Sequence, residues 1–206
     1  MFTGIIHGFF PISTLDKKEG LTSITVELEE SLLAGIELGA SVAVNGVCLT
    51  VTGIDAKGYL SFDIIEQTQM MTNLKHLEQG DLVNIERSLT FGKEIGGHLL
   101  SGHVDGTAKI TQIEKPINNF VITFLPPPEL NRYLFVKGFV GLNGASLTIA
   151  NKNSETGEIE VHLIPETLRL TTFHQALVGD ELNVEIDRQT QVIVDTVENY
   201  LKEKGN

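Results

Sequence analysis

The sequence repeats itself once, at an offset of about 98 residues, and this repeat limits the folds that are open to it. The segment NGVCLTV at residues 45–51 returns as NGASLTI at residues 143–149. A second block, GDLVNIE at residues 80–86, returns as GDELNVE at residues 179–185, with one residue inserted between the blocks. A solenoid needs three or more shorter units, so a long twofold repeat excludes that class. The pattern indicates two homologous domains.

The repeat divides the 206 residues into predicted domains at residues 1–97 and 98–187 and a tail at residues 188–206. Apolar and polar residues alternate within each domain, as at residues 22–28, 60–64 and 159–163, and this alternation is typical of half-buried strands. The repeated Asn-Gly dipeptides favour hairpin turns. Turn residues recur about every 8–12 positions, as in sandwiches and barrels. The predicted fold class is therefore all-β, with two small antiparallel barrels.

Helices are predicted at three places. A short helix is expected after a strand in each domain, at about residues 67–74 and 166–173. The tail has apolar residues at helical spacing, namely Ile193, Val194, Val197, Tyr200 and Leu201. A terminal amphipathic helix of this kind either docks on its own barrels or packs against a sister helix.

Composition and motif searches exclude several classes of function. The formal net charge of −12 argues against a nucleic-acid or anionic-membrane surface, which requires a basic patch. Cys48 is the one cysteine, so an internal disulfide and a cysteine-cluster zinc site are excluded. His98 and His103 lack further ligands at metal-like spacing, and no phosphate-binding glycine loop is present. No basic leader or membrane-spanning run is found, so the predicted location is cytoplasmic.

The two halves differ at positions that matter for chemistry. Cys48 stands opposite Ser146, His103 opposite Ile5, and Asp187 opposite Ser88. Each difference has a purely structural alternative, since a lone cysteine often packs in a core, a single histidine is often structural, and an aspartate at Asp187 is suited to capping the following helix. Features present in only one half are nevertheless candidates for chemistry done on one side only.

Several segments, taken in order, resemble the riboflavin synthase family of the trimeric α-subunit type over essentially the whole chain. They are MFTGII at residues 1–6, NGVCLT at 45–50, GGHLLSGH at 96–103, NGASLT at 143–148, HLIPETL at 162–168 and NVEID at 183–187. The resemblance implies two homologous six-stranded Greek-key barrels per subunit. It further implies that the helix within residues 188–206 forms the core of a homotrimer, and that no metal or organic cofactor is used.

The resemblance also implies a reaction. Two molecules of 6,7-dimethyl-8-ribityllumazine react by transfer of a four-carbon unit, giving riboflavin and 5-amino-6-(ribitylamino)pyrimidinedione. Each barrel is expected to hold one lumazine, and the pair meets between the first barrel of one subunit and the second barrel of its neighbour. Association with a lumazine synthase shell stays open. The alternatives are a non-catalytic lumazine- or flavin-binding protein and a flavin reductase, for which the sequence lacks a nicotinamide-binding Rossmann domain.

Four residues are implied to be catalytic: Cys48, His103, Ser146 and Asp187. One lumazine must lose a proton from its 7-methyl group, and a neutral histidine such as His103 is a suitable base. The other ring must accept a nucleophile, which is Cys48, Ser146 or a bound water. Asp187 is expected either to orient His103 or to polarise Ser146.

Substrate-binding residues follow from matching segments in the two domains. They are Gly4, Ile5, Ile6, Ser41, Cys48, Leu49, Thr50, Asp63, Ile64, Ile65, Glu66, Gln67, Thr68, Gly102, His103, Val104, Lys137, Ser146, Leu147, Thr148, Leu163, Ile164, Pro165, Glu166, Thr167 and Leu168. Gln67 departs from the family pattern, since a carboxylate usually stands beside the position of Thr68. The first barrel is therefore expected to meet the ribityl chain with an amide at this position, which can both donate and accept hydrogen bonds.

Overall fold

The computed structural model describes residues 1–117 and 119–204, and the strands in these residues form two closed antiparallel barrels. The first barrel consists of β1 (Gly8–Lys18), β2 (Leu21–Glu27), β3 (Ser41–Val44), β4 (Val47–Ile54), β5 (Tyr59–Ile65) and β6 (Leu82–Arg87). The second consists of β7 (Gly106–Glu114), β8 (Phe120–Leu125), β9 (Phe139–Leu142), β10 (Ala145–Lys152), β11 (Ile159–Leu163) and β12 (Glu181–Ile186).

Both barrels have the same strand order. It is β1-β2-β5-β4-β3-β6 in the first barrel and β7-β8-β11-β10-β9-β12 in the second, and β3, β4, β5 and β6 form a Greek key. The hairpin between β3 and β4 turns at Asn45 and Gly46, both with positive φ, as a type I′ turn requires. Asn143 and Gly144 form the equivalent turn. The predicted fold class and the predicted Asn-Gly turns are confirmed.

Side chains alternate between the inside and the outside of each barrel. In β4 the residues Val47, Leu49 and Val51 are buried, whereas Cys48 and Thr50 lie on the outer face. The equivalent strand β10 buries Leu147 and presents Ser146 and Thr148 outward. The polar residues that the sequence analysis selected on these strands therefore lie on the barrel surface.

The helices are short except for the last. They are α1 (Glu30–Leu33), α2 (Glu66–Met71), α3 (Pro165–Leu170) and α4 (Arg188–Lys204), with 3-10 turns at Asn73–His76, Asn131–Tyr133 and Thr172–Gln175. The predicted helices at about 67–74, 166–173 and in the tail are confirmed. Residues 205–206 of the predicted tail lie outside the described residues.

The barrels meet through buried asparagines that the repeat places in equivalent positions. The Asn84 side chain donates to the carbonyl of Asn143 (3.0 Å) and accepts from the backbone N–H of Thr172 (2.8 Å). In the reciprocal pair, Asn183 donates to the carbonyl of Asn45 (2.8 Å) and accepts from the N–H of Asn73 (2.7 Å). Because each amide satisfies backbone groups of the other barrel, the network fixes how the two barrels are oriented.

Helix α4 lies against the second barrel along one side only. Val194 packs on the core of that barrel, and Arg132 pairs with Asp195 (2.7 Å) and Glu198 (2.6 Å). The opposite side carries exposed apolar residues, among them Ile193 and Val197. No helix in the described part of the chain is long and apolar enough to cross a membrane.

Candidate functional site

Two segments that precede the barrels run between them and pair with each other. The N–H of Phe2 donates to the carbonyl of Leu100 (2.8 Å), and the N–H of Leu100 donates back to Phe2 (3.0 Å). Phe2, Leu100 and Ala43 are buried together in a cluster of their own, with Cys48 packed against it. This pairing holds the two segments at the junction of the barrels.

Beyond that junction each segment crosses to the other barrel. The carbonyl of Gly4 accepts from the N–H of Ser146 on β10 (2.9 Å), and the carbonyl of Gly102 accepts from the N–H of Cys48 on β4 (2.8 Å). In agreement with this exchange, Ile6 belongs to the core of the second barrel and Val104 packs on the core of the first. From the sequence these segments were predicted to belong to their own domains, and the exchange was not predicted.

Two glycines make the crossing possible. Gly4 and Gly102 have φ values of +74° and +79°, which L side chains rarely adopt. A Cβ atom on Gly4 would lie 2.4 Å from the Cβ of Ser146, and one on Gly102 would lie 2.6 Å from the Cβ of Cys48. Any side chain here would push the segment away from the neighbouring strand.

The first candidate site, here called the Cys48 site, combines β3, β4 and the segment at residues 102–104. Ser41 pairs with Thr50 across the two strands, and half-buried Cys48 lies beside them on the outer face. His103 is brought to this site by the exchange, and it is exposed. The exchange therefore places His103 next to the residue, Gly102, whose carbonyl accepts from the N–H of Cys48 on the first barrel.

Strand β5 and helix α2 supply the predicted residues 63–68 of the first barrel. Exposed Asp63 accepts from Ser23 Oγ (2.6 Å), and Ile65, Glu66 and Gln67 are also exposed. Ile64 is fully buried in the barrel core, so only its backbone is available to a ligand. The same holds for Leu49, Leu147 and Leu163, which the sequence analysis included as members of continuous segments.

The second candidate site, here called the Ser146 site, is a cleft of about 170 Å³. It is lined by Gly4, Ile5, Ile6, Ala145, Ser146, Ile164, Glu166, Thr167, Leu170 and Thr171. The structure thus gathers predicted residues from three separate segments of the chain. Predicted Thr148 follows on the outer face of β10, and Pro165 and Leu168 lie in helix α3 beside the cleft.

A larger cleft lies elsewhere. It measures about 580 Å³ and opens between the barrels near the turns at Asn45 and Asn143. Among the described residues that line it, none was predicted to bind substrate or to be catalytic. The smaller cleft at Ser146 fits the chemistry better, because it brings a hydroxyl, a carboxylate and backbone amides together.

His98 is a functional candidate that the sequence analysis did not select. Its Nδ1 lies 2.7 Å from Ser146 Oγ, and its ring stacks on Phe139 with centroids 5.1 Å apart. The side chain is buried, and Nε2 has no hydrogen-bond partner within the described residues. Burial lowers the pKa of His98, while the charge of Asp187 opposes that change. The imidazole is therefore neutral near pH 7 and able to accept a proton.

Gly97 allows His98 to reach this position. A Cβ atom on Gly97 would lie 2.3 Å from the carbonyl oxygen of Thr3 and 2.8 Å from Ser146 Oγ. The Gly96-Gly97-His98 stretch was a usable signal in the sequence, since consecutive glycines before a histidine indicate a close backbone approach. Comparing the two halves did not reveal His98, because at the offset of 98 residues it has no counterpart in the first half.

The remaining predicted catalytic residues have backbone or capping contacts. The backbone of His103 donates to Ser101 Oγ (3.2 Å) and accepts from Arg188 (2.6 Å). The Asp187 carboxylate accepts from the N–H and the hydroxyl of Thr190 (3.1 and 2.6 Å) at the start of α4. Asp187 thus acts as a helix cap, and its hydrogen bonds go to α4 rather than to His103 or Ser146.

Lys137 stands just before β9, close to the strands of the Ser146 site. It has a φ of +69°, and its counterpart in the first half is Gly39, with a φ of +84°. Both residues donate their N–H groups to the following hairpin, to Ile149 and Val51 respectively (2.8 and 2.9 Å). A lysine retained where the repeat has glycine carries backbone strain, which is often found at functional positions.

Replacing Lys137 with Gly is expected to separate stability from activity. The free energy of unfolding should rise by about 1 kcal/mol. An L-residue in the left-handed conformation costs about 1–2 kcal/mol, and glycine removes this strain but loses more backbone entropy on folding, which offsets part of the gain. The KM should rise about tenfold if the ammonium binds a substrate oxygen. Denaturant unfolding and steady-state kinetics measure the two effects. Gly39→Lys is the matched control, expected to destabilise by a similar amount, and unchanged kinetics in Lys137→Gly would contradict a binding role.

No cluster in the described ranges 1–117 and 119–204 brings three His, Cys, Asp or Glu side chains together in a way that could hold a metal ion. The two candidate sites offer a thiol, a hydroxyl, two imidazoles, a carboxylate and backbone amides. These groups suit proton transfer and nucleophilic addition.

Comparison with known families and structures adds independent findings. The model of the lumazine binding domain matches residues 3–88 and 101–187. Riboflavin synthase of Escherichia coli K12 is 45% identical over 212 residues, covering 100% of this chain and 96% of that protein. Riboflavin synthase of Bacillus subtilis is 37% identical and covers 91% of this chain and 85% of that protein.

Solved structures of the same fold carry ligands. LumP complexed with riboflavin superimposes with a TM-score of 0.83 at 26% identity, covering 91% of this chain and 100% of that one. LumP complexed with 6,7-dimethyl-8-(1'-D-ribityl) lumazine gives a TM-score of 0.81 at 25% identity. These neighbours show that the two-barrel fold accommodates flavin and lumazine rings.

Proposed function

This chain belongs to the riboflavin synthase family and contains two lumazine binding domains, and we propose that it converts two molecules of 6,7-dimethyl-8-ribityllumazine into riboflavin and 5-amino-6-(ribitylamino)pyrimidinedione. The observation that carries the proposal is a pair of equivalent sites that share their backbone and differ in their reactive side chains. Gly102 meets Cys48 as Gly4 meets Ser146. Two identical substrates with opposite roles require such a pair.

The equivalence of the sites explains how both substrates are recognised. Each ring is expected to lie along the outer face of a barrel, between β4 and residues 102–104 or between β10 and residues 4–6. The ribityl chains extend toward α2 and α3, where Glu66, Thr68, Glu166 and Thr167 supply carboxylates and hydroxyls. Holding both rings in an oriented pair removes most of the entropic barrier to their reaction.

The differences between the sites suit the two roles. At one ring the 7-methyl group must lose a proton, and at the other a nucleophile must add. Neutral His98, hydrogen-bonded to Ser146, is suited to proton transfer at the second barrel. At the first barrel Cys48 and His103 are suited to activating a nucleophile, which is either the thiol itself or a water held by Ser41 and Thr50.

Assembly into a homotrimer is part of the proposal. Helix α4 is fixed on its own barrel by Val194 and Arg132, and it presents Ile193, Val197, Tyr200 and Leu201 outward on one face. Sister helices packed on these residues would bury an apolar stripe that is otherwise in water. The Cys48 site of one subunit then faces the Ser146 site of its neighbour. We place the enzyme in the cytoplasm, and docking with a lumazine synthase stays a prediction.

Turnover is tested with the purified protein and 6,7-dimethyl-8-ribityllumazine, with chelator present and without added cofactor. The expected result is one riboflavin formed for every two lumazines consumed, measured by absorbance and chromatography. Tight binding of lumazine without formation of riboflavin would contradict the proposal and favour a binding protein. Oxidation of NADH by the protein with bound flavin would instead favour a reductase.

A further inference from the structure

Two glutamates are buried at the junction of the barrels, and neither forms an ion pair within residues 1–117 and 119–204, although the charge of Arg188 acts on Glu185. Glu86, at the end of β6, is 2% exposed, and Glu185, in β12, is 4% exposed. Burial raises the pKa of each carboxyl above its ordinary value, against the hydrogen bonds donated to it. A buried carboxylate costs stability unless it is fully hydrogen-bonded, so its presence in both halves needs a physical reason.

Each carboxylate holds one of the two crossing segments. Glu86 accepts from the N–H and hydroxyl of Thr3 at one oxygen (2.7 and 2.8 Å) and from the N–H of Gly4 at the other (3.0 Å). Glu185 accepts in the same way from Ser101 (2.6 Å for both groups) and from the N–H of Gly102 (3.0 Å). In each glutamate two donors reach one carboxylate oxygen and the third donor reaches the other oxygen. An ionised carboxylate can accept all three hydrogen bonds, whereas an amide has only one acceptor oxygen and cannot.

The same segments form the walls of the candidate sites on the opposite barrels. Glu86 belongs to the first barrel, yet the Gly4 carbonyl next to its hydrogen bonds accepts from Ser146 on the second. Glu185 belongs to the second barrel, and the Gly102 carbonyl accepts from Cys48 on the first. Each glutamate is therefore joined, through one residue of backbone, to the reactive strand of the other barrel.

We propose that Glu86 and Glu185 are positioning residues that act crosswise, Glu86 for the Ser146 site and Glu185 for the Cys48 site. The inference rests on the proposed function in so far as these sites bind lumazine and riboflavin. The proposal predicts that each glutamate affects the site on the opposite barrel. A residue that only stabilised its own barrel would instead affect the site on that barrel, or both sites equally. The Phe2–Leu100 pairing keeps the segments attached when one glutamate is changed, so the effect is local.

The variants Glu86→Gln and Glu185→Gln are a matched pair for testing the direction. Each replaces one acceptor oxygen by an NH₂ group that faces an N–H donor, so at least one hydrogen bond is lost. Amide hydrogen exchange, resolved by mass spectrometry, measures the consequence at the strands. Exchange at Ser146 should rise at least tenfold in Glu86→Gln and stay within twofold of wild type in Glu185→Gln. At Cys48 the reverse is expected.

Riboflavin binding gives a second readout. Cys48 is the one thiol of the chain, so protection from alkylation by riboflavin reports occupancy of the Cys48 site, while calorimetry reports both sites. Glu185→Gln should raise the riboflavin concentration for half-protection about tenfold, a loss typical of one hydrogen bond to a charged group. Glu86→Gln should leave it within twofold and weaken the other binding event.

Milder substitutions guard against misfolding of the glutamine variants. Thr3→Val and Ser101→Ala remove one donor each to Glu86 and Glu185, and they should produce the same crosswise pattern with smaller amplitude. Equal loss at both sites, or loss at the site on the glutamate's own barrel, would overturn the inference. Failure of the proposed function is seen separately, as wild-type protein that binds riboflavin and forms none from lumazine. Wild-type protein that binds no riboflavin would overturn both.

Discussion

Replacing Val197 with Asp on helix α4 is expected to convert the proposed trimer into a protomer of 22.5 kDa and to lower turnover at least a hundredfold. Val197 lies on the exposed apolar face with Ile193 and Tyr200, and threefold packing of this face would bring three carboxylates together near the axis. Burying unpaired like charges opposes association strongly. Because the two substrates would then be held by separate molecules, the advantage of an oriented pair is lost.

Sedimentation analysis and the riboflavin assay measure these two effects, and riboflavin titration of the monomer checks that the binding sites survive. The control is Asn199→Asp, which introduces the same charge on an exposed position of the same helix, away from the apolar face. It should leave both assembly and turnover within twofold of wild type. A monomeric Val197→Asp variant with full activity would show that each protomer brings its own two sites together.

Much of the fold was predictable because the same pattern of strands and turns occurs in both halves of the sequence. Strands β2, β5 and β11 match the alternating segments at residues 22–28, 60–64 and 159–163, since each strand buries one face only. Asn45-Gly46 and Asn143-Gly144 form the turns that their type favours, because both residues can adopt positive φ. The amphipathic spacing of the tail likewise corresponds to α4. Local preference and global fold agree at these positions.

The exchange of segments was not predictable from local patterns. It depends on hydrogen bonds between residues far apart in the chain, such as Gly4 with Ser146 and Gly102 with Cys48, and periodicity carries no information about partners at that distance. The segments around Gly4 and Gly102 contain no regular strand whose alternating pattern would have indicated a pairing. What the sequence did show were Gly4 and Gly102 at equivalent positions, and each is needed for a close approach between the barrels.

His98 and Asp187 illustrate the limit of comparing the two halves. The comparison selects residues that differ between the halves, and it therefore selected His103 and Asp187. Asp187 caps α4, as the structural alternative predicted, and its charge also acts on His98, so the catalytic role of Asp187 stays a prediction. His98 has no counterpart at the repeat offset and lies between the matched domains at residues 3–88 and 101–187, so it had no partner to be compared with. Its burial against Ser146 is a property of the assembled barrels.

Replacing His98 with Asn is expected to lower kcat about a hundredfold or more, with substrate binding changed by less than threefold. The asparagine amide occupies the position of Nδ1 and preserves a hydrogen bond to Ser146 Oγ, now 2.7 Å from the imidazole. What it removes is a group that accepts a proton near neutral pH, and such groups contribute about 10²–10⁴ to rate. Single-turnover kinetics with lumazine, together with riboflavin titration, measure the two quantities.

The pH profile distinguishes loss of a base from loss of a contact. Because burial lowers the pKa of His98 below 6.5, the neutral imidazole is present above that pH and is lost only as the pH falls below the folded-state pKa. Stability follows the same sign, since the unfolded chain takes up the proton first and the contribution of the neutral side chain declines as the pH falls below 6.5. The acid limb of wild-type turnover should therefore be absent in His98→Asn. The matched variant His103→Gln should retain that limb, and a hundredfold loss in His103→Gln with near-normal turnover in His98→Asn would assign the base to His103 instead.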